Sequence, residues 1–576
     1  MKQLMLGNEA VARGLYEAGC MFVSSYPGTP STEITEAVAK YQEVYAEWAP
    51  NEKVAMEAAF GASLAGRRSF CAMKHVGLNV AADPLFTISY TGVNAGMVIG
   101  VADDAGMHSS QNEQDSRHYA RASKIPMLEP SDSAEALEFA KLAYELSEKF
   151  DTPVLLKMCT RVSHSQSLVE LSGRTEQLKE YTKDVPKYVM MPGNAKKRHP
   201  VVEARTAALT EYAETAPINR LESGSSNKYG FITDSTCYQY VKEVCGDEYP
   251  VLKLGMVWPM PEKKVRDFAA SVEKLFVVEE LDSFIEDHVR FMGIPCAGKD
   301  TFPNIDELSQ NKIAAALNVP YEMGTRLEEA VPPRPPVMCA GCPHRGLFYT
   351  LKKNKITVLG DIGCYTLGAV APLQAVDSVI CMGASVSGLH GFSKSQNGAM
   401  DNKTVAVIGD STFMHSGITG LVNIAYNESN ATVIIVDNSI TGMTGHQQNP
   451  TTGFNLKGDP CAKIDLETLC RAVGIKRVRV IDPYDLKQCD EVIKEELSVN
   501  EPSVIISRRP CALLKYVKHK PSLHVDSDKC VGCKACMKIG CPAISIVDGK
   551  AKIDTTQCVG CGVCQQLCKF GALKED

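Results

Sequence analysis

The chain has 576 residues, a length typical of about three to five domains. Hydrophobic residues make up 44% of it and charged residues 22%, the ordinary balance of a soluble globular protein. A net charge of −7 argues against nucleic acid or an anionic membrane as a partner. The sequence begins without a signal-peptide pattern and contains no apolar run of bilayer-spanning length. We therefore expect a cytoplasmic protein with neither a membrane nor a nucleic-acid partner.

Residues 1–165 alternate strand and helix patterns, which predicts an α/β domain. An apolar run at 20–24 predicts a strand. Thr29, directly before Pro30, predicts the N-cap of a helix that extends to about Tyr41. Two further strands are predicted at 96–102 and 154–158.

Two polar features of this region stand out against its apolar pattern. An Ala-rich helix predicted at 51–66 carries Glu57 among small residues. A carboxylate on such a surface is usually solvated, but the small neighbours favour close packing against another structure. A long polar stretch, 103–117, directly follows the strand at 96–102 and ends at Arg117. Such a stretch after a buried strand predicts a functional loop.

The middle of the chain predicts a connector and a second α/β domain. Residues 166–225 are charged and weakly periodic, which indicates a helical connector with a solvated face. Residues 226–325 alternate strands and helices as in a small doubly wound domain, and no phosphate-binding glycine loop follows the first strand. We assign this domain no cofactor. A proline-rich run at 331–336 predicts a stiff linker. The strands of the second domain are predicted at 229–233, 251–255 and 274–279.

The region 337–518 contains a strand–helix–strand unit with polar residues at both strand ends. An apolar run at 404–408 predicts a buried strand that leads into Asp410, and a second run at 432–436 leads into Asn438. In α/β sheets ligands bind at the carboxyl ends of strands. Magnesium prefers hard oxygen ligands and retains substrate phosphates in its shell. The pattern fits a magnesium diphosphate site, and an ordinary strand–turn–helix is the alternative.

The spacing of this unit resembles the thiamine diphosphate fingerprint, in which a Gly-Asp pair is followed some twenty-five residues later by an Asn. Here Gly409 and Asp410 supply the pair and Asn438 the distant amide. Ser411 replaces the usual third glycine, which requires a negative φ at this position.

The chain contains 22 cysteines without a secretory signal, which favours reduced thiols and metal ligation over disulfides. The tail at 521–576 carries two runs of four, in the rhythm of a two-cluster ferredoxin. In that arrangement three cysteines of one run and the fourth of the other hold each cluster, and zinc is the alternative metal. Two departures are an extra residue before Cys541 and Lys569 in place of proline after Cys568. The predicted sets are Cys530, Cys533, Cys536 and Cys568 for cluster 1, and Cys558, Cys561, Cys564 and Cys541 for cluster 2.

Four further cysteines predict a third cluster near the diphosphate unit. Cys339 and Cys342 have metal-ligand spacing, and Cys364 and Cys511 follow predicted strands, so all four could converge at strand ends. Electrons that leave a cofactor bound within 337–518 need such a cluster as a relay to reach the tail clusters. A zinc site and buried free cysteines are the alternatives.

With these motifs in hand, the chain resembles the alpha subunits of indolepyruvate ferredoxin oxidoreductases, within the thiamine-dependent 2-oxo acid:ferredoxin oxidoreductases. The resemblance covers nearly the whole length. It implies an α/β fold with a pyrimidine-binding domain at 1–165, a connector at 166–225, a transketolase-C-terminal-like domain at 226–325, a diphosphate and magnesium domain at 337–518, and a ferredoxin domain with two [4Fe–4S] clusters at 521–576. The motifs that carry it are YPGTP at 26–30, MHSSQN at 107–112, CAGCPHR at 339–345, the segment 409–417 and the ferredoxin-like tail.

The resemblance also implies the reaction. An arylpyruvate such as indole-3-pyruvate, CoA and oxidised ferredoxin would give arylacetyl-CoA, CO2 and reduced ferredoxin. The implied partners are a smaller beta subunit, ferredoxin and a second alpha subunit in a dimer. Two alternatives remain: another 2-oxo acid as substrate, or an electron-transfer subunit with a decayed thiamine site. Intact Glu57, Asp410 and Asn438 argue against decay.

Residue roles follow from the same resemblance. Glu57 matches the glutamate that hydrogen-bonds the aminopyrimidine of thiamine diphosphate. Asp410, Asn438 and the carbonyl of Ile440 match the magnesium ligands, with Gly409 and Ser411 beside them. A proximal cluster in the pyruvate-oxidising relatives lies on similarly placed cysteines, which supports the third set.

Three more residues are candidates for positions near the reacting groups. Thr29 and Arg117 match positions near the substrate carboxylate in the pyruvate-oxidising relatives, and arginine suits a planar carboxylate. A surface ion pair is the alternative for Arg117. His415 lies near the diphosphate motif, which suggests a role in proton transfer, and a polar structural role is the alternative.

Overall fold

The computed structural model describes residues 1–321, 329–332 and 334–575. The chain forms two compact units, Met1–Glu328 and Glu329–Asp576. Residues 322–325 of the predicted second domain and Pro333 of the predicted linker lie outside the described residues. Within the described residues no helix combines the length and apolar character needed to cross a membrane.

The first unit is built on a seven-stranded sheet in which only one edge pair is antiparallel. Its three central strands are buried along their whole length. Their near-continuous apolar sequences are typical of parallel strands that helices cover on both faces. The strands lie in the order Met256–Trp258, Met127–Leu128, Val154–Cys159, Met97–Asp103, Ser69–Lys74, Phe22–Ser25 and Tyr45–Trp48. The helices before the connector are Gly7–Glu17, Thr32–Val38, Glu52–Leu64, His75–Val80, Ala82–Thr91, Arg117–Ser123, Ser133–Phe150 and Thr160–His164.

The predicted strands and the Ala-rich helix of this region are confirmed, whereas the predicted cap is wrong. Asn51 caps the helix Glu52–Leu64, and its side chain accepts from the Val54 N–H. Thr29 does not cap a helix, because the next helix begins at Thr32 and Ser31 occupies its N-cap position. Thr29 is instead joined to Pro30 by a cis peptide bond.

The connector is only partly helical. Gln166–Glu170 forms a strand that pairs antiparallel with Lys2–Leu6, and the main helix spans Pro192–Thr215. This strand has little local sequence signal, because only Val169 of it is buried. It forms by pairing with a segment more than 150 residues away. A short helix, Val185–Tyr188, precedes the main one.

The second sheet of this unit has four strands and shares a chain segment with the first sheet. Its strand Val251–Leu254 is followed, after Gly255, by Met256–Trp258, which pairs with Met127–Leu128 in the seven-stranded sheet. The two sheets are therefore joined by continuous backbone. The strand order is Lys274–Val278, Tyr229–Asp234, Val251–Leu254 and Arg220–Glu222, and the helices are Ser235–Cys245, Glu262–Ala270, Phe284–Phe291 and Gln310–Leu317.

The second unit contains a five-stranded parallel sheet and the cysteine-rich tail. The sheet order is Thr357–Leu359, Thr404–Gly409, Thr432–Asp437, Ser503–Arg508 and Arg477–Ile481. The α-helices are His344–Lys353, Ala384–Ser395, Asp410–Thr412, Ile418–Tyr426, Leu466–Ala472 and Leu486–Glu496, and Phe413–Gly417 is a π-helix. Short 3-10 helices lie at Cys364–Ala369, Asp401–Lys403, Ala535–Ile539 and Gln565–Leu567. The tail has two small antiparallel sheets, His524–Val525 with Leu573–Lys574 and Ile544–Val547 with Lys550–Ile553.

Candidate active site

Asp410 and Asn438 leave the five-stranded sheet side by side. Their strands, Thr404–Gly409 and Thr432–Asp437, are parallel neighbours over their length. Parallel neighbours deliver their carboxyl ends to the same sheet edge. The sequence-predicted pair is thereby brought together, and both residues are buried.

The oxygens around Asn438 form a cradle of the kind that a divalent cation fills. With its nitrogen facing inward, the Asn438 amide donates to Asp410 Oδ1 at 3.3 Å and to the Ile440 carbonyl at 2.7 Å. With its oxygen there, three oxygens converge at these separations, close to the octahedral edge of about 2.9 Å expected around Mg²⁺. The three predicted ligands therefore fit a magnesium ion.

The second carboxylate oxygen of Asp410 is held by two residues that sequence reasoning missed. Thr451 Oγ1 donates to Asp410 Oδ2 at 3.1 Å, and Asn449 Nδ2 approaches it at 3.3 Å. Burial and the neighbouring Asp437 raise the pKa of Asp410 to about 7. A bound cation would favour the ionised form and offset this effect.

The segment after Asp410 departs from a regular α-helix. Ser411 lies in the short helix Asp410–Thr412 with negative φ, as its replacement of glycine requires, and its Oγ accepts from Thr441 at 2.9 Å. His415 lies in the π-helix that follows, is 4% exposed, and contacts Ser416 Oγ through Nδ1 at 2.6 Å. Single π turns are frequent at functional sites.

Asp361 is a further anchor at this sheet edge. It is fully buried and accepts from the backbone N–H groups of Gly383 and Ser385, each at 3.0 Å. These bonds fix the start of the helix Ala384–Ser395, and Gly383 packs so closely on Ser416 that a Cβ would lie 2.6 Å from it. Asp361 therefore occupies two of the backbone N–H groups at this helix start.

In the first unit Glu57 is accessible. Its side chain is 45% exposed and forms an ion pair with Lys53 one helical turn away. The same helix face exposes Val54, and a Cβ at Gly61 would meet open space. The carboxylate is therefore available to a group outside this unit.

Thr29 lies beside a buried lysine that the sequence did not single out. Lys74 is 9% exposed, its stem packs against Gly28, and its ammonium donates to the Ser109 carbonyl at 2.9 Å. Burial lowers the pKa of Lys74. The Ser109 hydroxyl also contacts the Thr29 carbonyl at 3.4 Å, and Asp104 Oδ2 accepts from the Ser109 N–H at 2.8 Å. The predicted polar loop is thus held against the Thr29 turn.

The structure places Arg117 in a cluster of buried carboxylates. Its Nε and Nη2 donate to Asp115 at 2.9 and 2.6 Å. Its Nη1 donates to Asp234 at 3.0 Å and to Glu279 at 2.7 Å, and Nη2 also donates to the Glu280 carbonyl at 2.8 Å. All five N–H groups are occupied. This geometry favours the ion-pair interpretation, at a buried rather than a surface position, over contact with a substrate carboxylate.

Ionisation in this cluster is strongly biased by burial. Burial opposes the charge of Asp115, but the adjacent Arg117 prevails and lowers its pKa to about 2. Burial and the neighbouring Asp234 raise the pKa of Glu129 to about 7, against the charges of Lys157 and Arg117. Lys157 keeps its proton, because Glu129 lies against it.

The eight tail cysteines gather into two sets of four. Cys536 has Cys530, Cys533 and Cys568 as ionisable neighbours, and all four line one cavity. Cys564 has the other three cysteines of the second set as ionisable neighbours, and Cys536 of the first set as well. The second set is Cys541, Cys558, Cys561 and Cys564. Each set takes three cysteines from one run and one from the other, and four converging thiolates fit a [4Fe–4S] cluster.

The four cysteines of the third predicted set also converge. Cys364 has Cys511 and Cys339 as neighbours, and Cys342 has Cys364 and Cys339. Burial raises the pKa of Cys342 to about 12 and that of Cys364 to about 11, which suits thiols that lose their protons only to a metal. The Cys511 N–H donates to the Asn438 carbonyl at 2.9 Å, so the set adjoins the magnesium cradle.

Three family models match the chain. The pyruvate flavodoxin/ferredoxin oxidoreductase, thiamine diphosphate-binding model matches residues 13–219. The thiamine pyrophosphate enzyme, C-terminal TPP binding domain model matches residues 361–507, and the 4Fe-4S dicluster domain model matches residues 522–569. The first match includes Glu57, the second includes Asp410 and Asn438, and the third includes the eight tail cysteines.

Full-length relatives are found among archaea. The chain is 40% identical to the indolepyruvate oxidoreductase subunit IorA of Pyrococcus horikoshii, over 100% of this chain and 97% of the relative. It is 41% identical to the subunit of the same name from Thermococcus kodakarensis, over 99% and 96%. The corresponding subunit of Methanothermobacter thermautotrophicus is 38% identical, over 100% and 97%.

Proposed function

Because the chain belongs to the family of indolepyruvate oxidoreductase subunit IorA, we propose that it is the catalytic alpha subunit of an enzyme that oxidises arylpyruvates, indole-3-pyruvate among them. It is a thiamine-dependent 2-oxo acid:ferredoxin oxidoreductase with iron–sulfur clusters. The proposed reaction joins the acyl group left after loss of CO2 to CoA. Two electrons leave, one at a time, to ferredoxin.

One observation carries this proposal: the magnesium cradle and the third cysteine set share a hydrogen bond, from the Cys511 N–H to the Asn438 carbonyl. A decarboxylase without redox function would need no metal-ligating cysteines there. An electron-transfer subunit would need no cradle formed by Asp410, Asn438 and the Ile440 carbonyl. The adjacency of both supports a coupled decarboxylation and oxidation.

Thiamine diphosphate, when bound, supplies the electron sink for decarboxylation, and iron–sulfur clusters take up single electrons. Asp410, Asn438 and the Ile440 carbonyl would hold Mg²⁺ for the diphosphate. His415 would hold a proton beside the diphosphate, within the π-helix.

Glu57 would donate a hydrogen bond from its carboxyl group to a ring nitrogen of the aminopyrimidine and so orient that ring. Its exposure supports contact with a cofactor held by another unit. We propose that this contact forms in a dimer of alpha subunits, each further associated with a smaller beta subunit. Thr29 would contact the substrate carboxylate, and Lys74, which lies beside the Thr29 turn, supplies a positive charge there.

The cysteine sets would bind three [4Fe–4S] clusters. The set of Cys339, Cys342, Cys364 and Cys511 adjoins the cradle, and its Gly341 loop packs against Val559 in the tail. A group of four soft thiolate ligands suits an iron–sulfur cluster, whereas Mg²⁺ and Ca²⁺ prefer hard oxygen ligands.

Steady-state reduction of a viologen dye tests the substrate. The alpha–beta complex is assayed with indole-3-pyruvate, phenylpyruvate, pyruvate and 2-oxoglutarate, each with and without CoA. We expect the highest kcat/KM with indole-3-pyruvate and a requirement for CoA. A preference for pyruvate or 2-oxoglutarate would replace the aryl substrate by another 2-oxo acid, and thiamine-independent dye reduction would refute the catalytic role.

A further inference from the structure

The loop before Cys541 carries one residue more than the bacterial two-cluster pattern, and the proposed reaction does not explain it. Cys536 and Cys541 are separated by four residues, where that pattern has three. The loop ends in Ile539 and Gly540, and Gly540 has a φ of +68°, a backbone conformation that glycine adopts without strain. The carbonyls of these two residues point to one guanidinium.

That guanidinium belongs to Arg345, in the helix His344–Lys353 that packs on the five-stranded sheet. Its Nη1 donates to the Ile539 carbonyl at 3.2 Å and also to the Gly540 carbonyl. Its Nη2 donates to the Cys339 carbonyl at 3.0 Å and also to the Met338 carbonyl. One side chain, 4% exposed, therefore ties the loop that begins the third cysteine set to the loop that precedes Cys541.

A second group of contacts, made by uncharged side chains, also joins the Cys339–Cys342 loop to the tail. Tyr484 Oη donates to the Gly341 carbonyl, and Gln566 of the tail donates to the Tyr484 carbonyl at 2.7 Å. A Cβ at Gly341, whose φ is +67°, would lie 2.2 Å from Val559 of the tail. The Cys339–Cys342 loop thus lies directly against the Cys558–Cys561 loop, so two predicted cluster sites meet here.

We propose that Arg345 is a positioning residue that fixes the Cys541 set against the Cys339 set, and that the extra loop residue exists to present two carbonyls to it. A planar guanidinium can bind carbonyls on both sides at once, which a lysine ammonium cannot do in one plane. Its fixed charge lies next to thiols of both sets, Cys342 and Cys561. It also favours the more negative, reduced form of a cluster on either side. This inference rests on the proposed function only in that both sets hold clusters.

The test compares Arg345→Met, Arg345→Lys and Gly540→Ala in the full-length alpha–beta complex. Gly540→Ala keeps the charge but displaces the loop, since its Cβ would lie 2.7 Å from Pro372 and 3.4 Å from Arg345 Nη1. Arg471→Met is the matched control, because Arg471 also donates to two backbone carbonyls, those of Lys476 and Val478, away from either set.

Three readouts separate position from charge. Hydrogen–deuterium exchange at 338–342 and 537–541 should rise in all three Arg345 and Gly540 variants and not in the control. Substrate-driven reduction of the tail clusters in a single turnover should slow roughly tenfold or more in the same three, while their iron content and reduction by dithionite stay at the wild-type level. EPR-monitored titration should give a lower reduction potential in Arg345→Met alone.

Wild-type hydrogen–deuterium exchange and a wild-type single-turnover rate in Arg345→Met would overturn the proposal. So would a slow single-turnover rate in Arg345→Met alone, with Gly540→Ala at the wild-type rate. If the wild type lacks iron at the third set, the cluster assignment fails instead. Hydrogen–deuterium exchange then still decides whether Arg345 holds the loops at 338–342 and 537–541 together.

Discussion

Arg117 and Glu279 are 162 positions apart in the chain, yet Arg117 Nη1 donates to Glu279 Oε2 at 2.7 Å with both side chains 1% exposed. Arg117 begins the helix between strands Met97–Asp103 and Met127–Leu128 of the seven-stranded sheet. Glu279 directly follows strand Lys274–Val278 of the four-stranded sheet. Their ion pair, with Asp234 as a third partner, joins the two sheets in the core of the first unit.

Arg117→Met should destabilise the first unit by about 3–5 kcal/mol, because it leaves buried carboxylates without their cation. Denaturant unfolding of the unit measures this loss. Arg121→Met is the control, since Arg121 lies on the same helix and stacks on the same ring, Phe284. A variant with wild-type stability and a raised KM for the 2-oxo acid would instead restore Arg117 to the substrate site.

Stability should fall as pH rises through neutrality, and Glu129 should account for part of the fall. Its folded-state pKa of about 7 exceeds the ordinary 4.5, so the folded state binds the proton more tightly. The resulting stability is fully present below about pH 4.5 and is lost as pH rises through about 7. Melting temperatures measured from pH 5 to 8 should therefore decline less steeply in Glu129→Gln than in the wild type. Parallel curves would contradict this.

Asp410→Ala should abolish retention of thiamine diphosphate, because the cradle loses its charged oxygen. Thr451→Val removes only a hydrogen bond to that oxygen, worth about 1.5–3 kcal/mol to a charged group, and should weaken binding by roughly tenfold to a hundredfold. Thiamine content after gel filtration and magnesium titration measure both. Full thiamine content in Asp410→Ala would refute the assignment.

Glu57→Gln should keep the fold, the clusters and bound thiamine diphosphate but lose nearly all turnover. The amide preserves the shape of the side chain but has no acidic proton to supply to the aminopyrimidine ring. The direct measurement is hydrogen–deuterium exchange at the thiazolium C2, which should slow strongly. Unchanged exchange at C2 would assign Glu57 to the ion pair with Lys53 alone.

Cys364→Ser should remove about four iron atoms per chain, from about twelve to about eight, because one [4Fe–4S] cluster loses a ligand. The thiamine content should remain. Cys489→Ser is the control, since Cys489 is fully buried in the same unit and belongs to none of the three sets. Equal iron in both variants would favour zinc or free thiols at the third set.

The strands, and with them the convergence of Asp410 and Asn438 at one sheet edge, could be predicted because the signal of each strand is local. The β-branched runs at 404–408 and 432–436 form strands as predicted, extended by one residue each to Gly409 and Asp437. The four-cysteine spacings likewise fix which loops can wrap a metal. Each of these features depends on residues close together in sequence.

The remainder depends on contacts between distant segments. Asn449 and Thr451 reach Asp410 from a loop without periodicity, 39 and 41 positions away. Apart from Asp115, the partners of Arg117 lie beyond position 230, so the sequence left both a substrate contact and a surface ion pair open for this residue. The N-cap expected at Thr29 was wrong because the helix begins three residues later, at Thr32, and Ser31 occupies its N-cap position.

The strand Met256–Trp258 has a consequence for how this protein can be divided. It belongs by sequence to the second α/β region, yet it closes the edge of the first region's sheet beside Met127–Leu128. A fragment ending near residue 225 would leave that edge open to pairing with other chains. The two regions are therefore expected to fold correctly only when they are expressed as one piece, and the boundary between the two compact units, near residue 328, is where the chain can be divided.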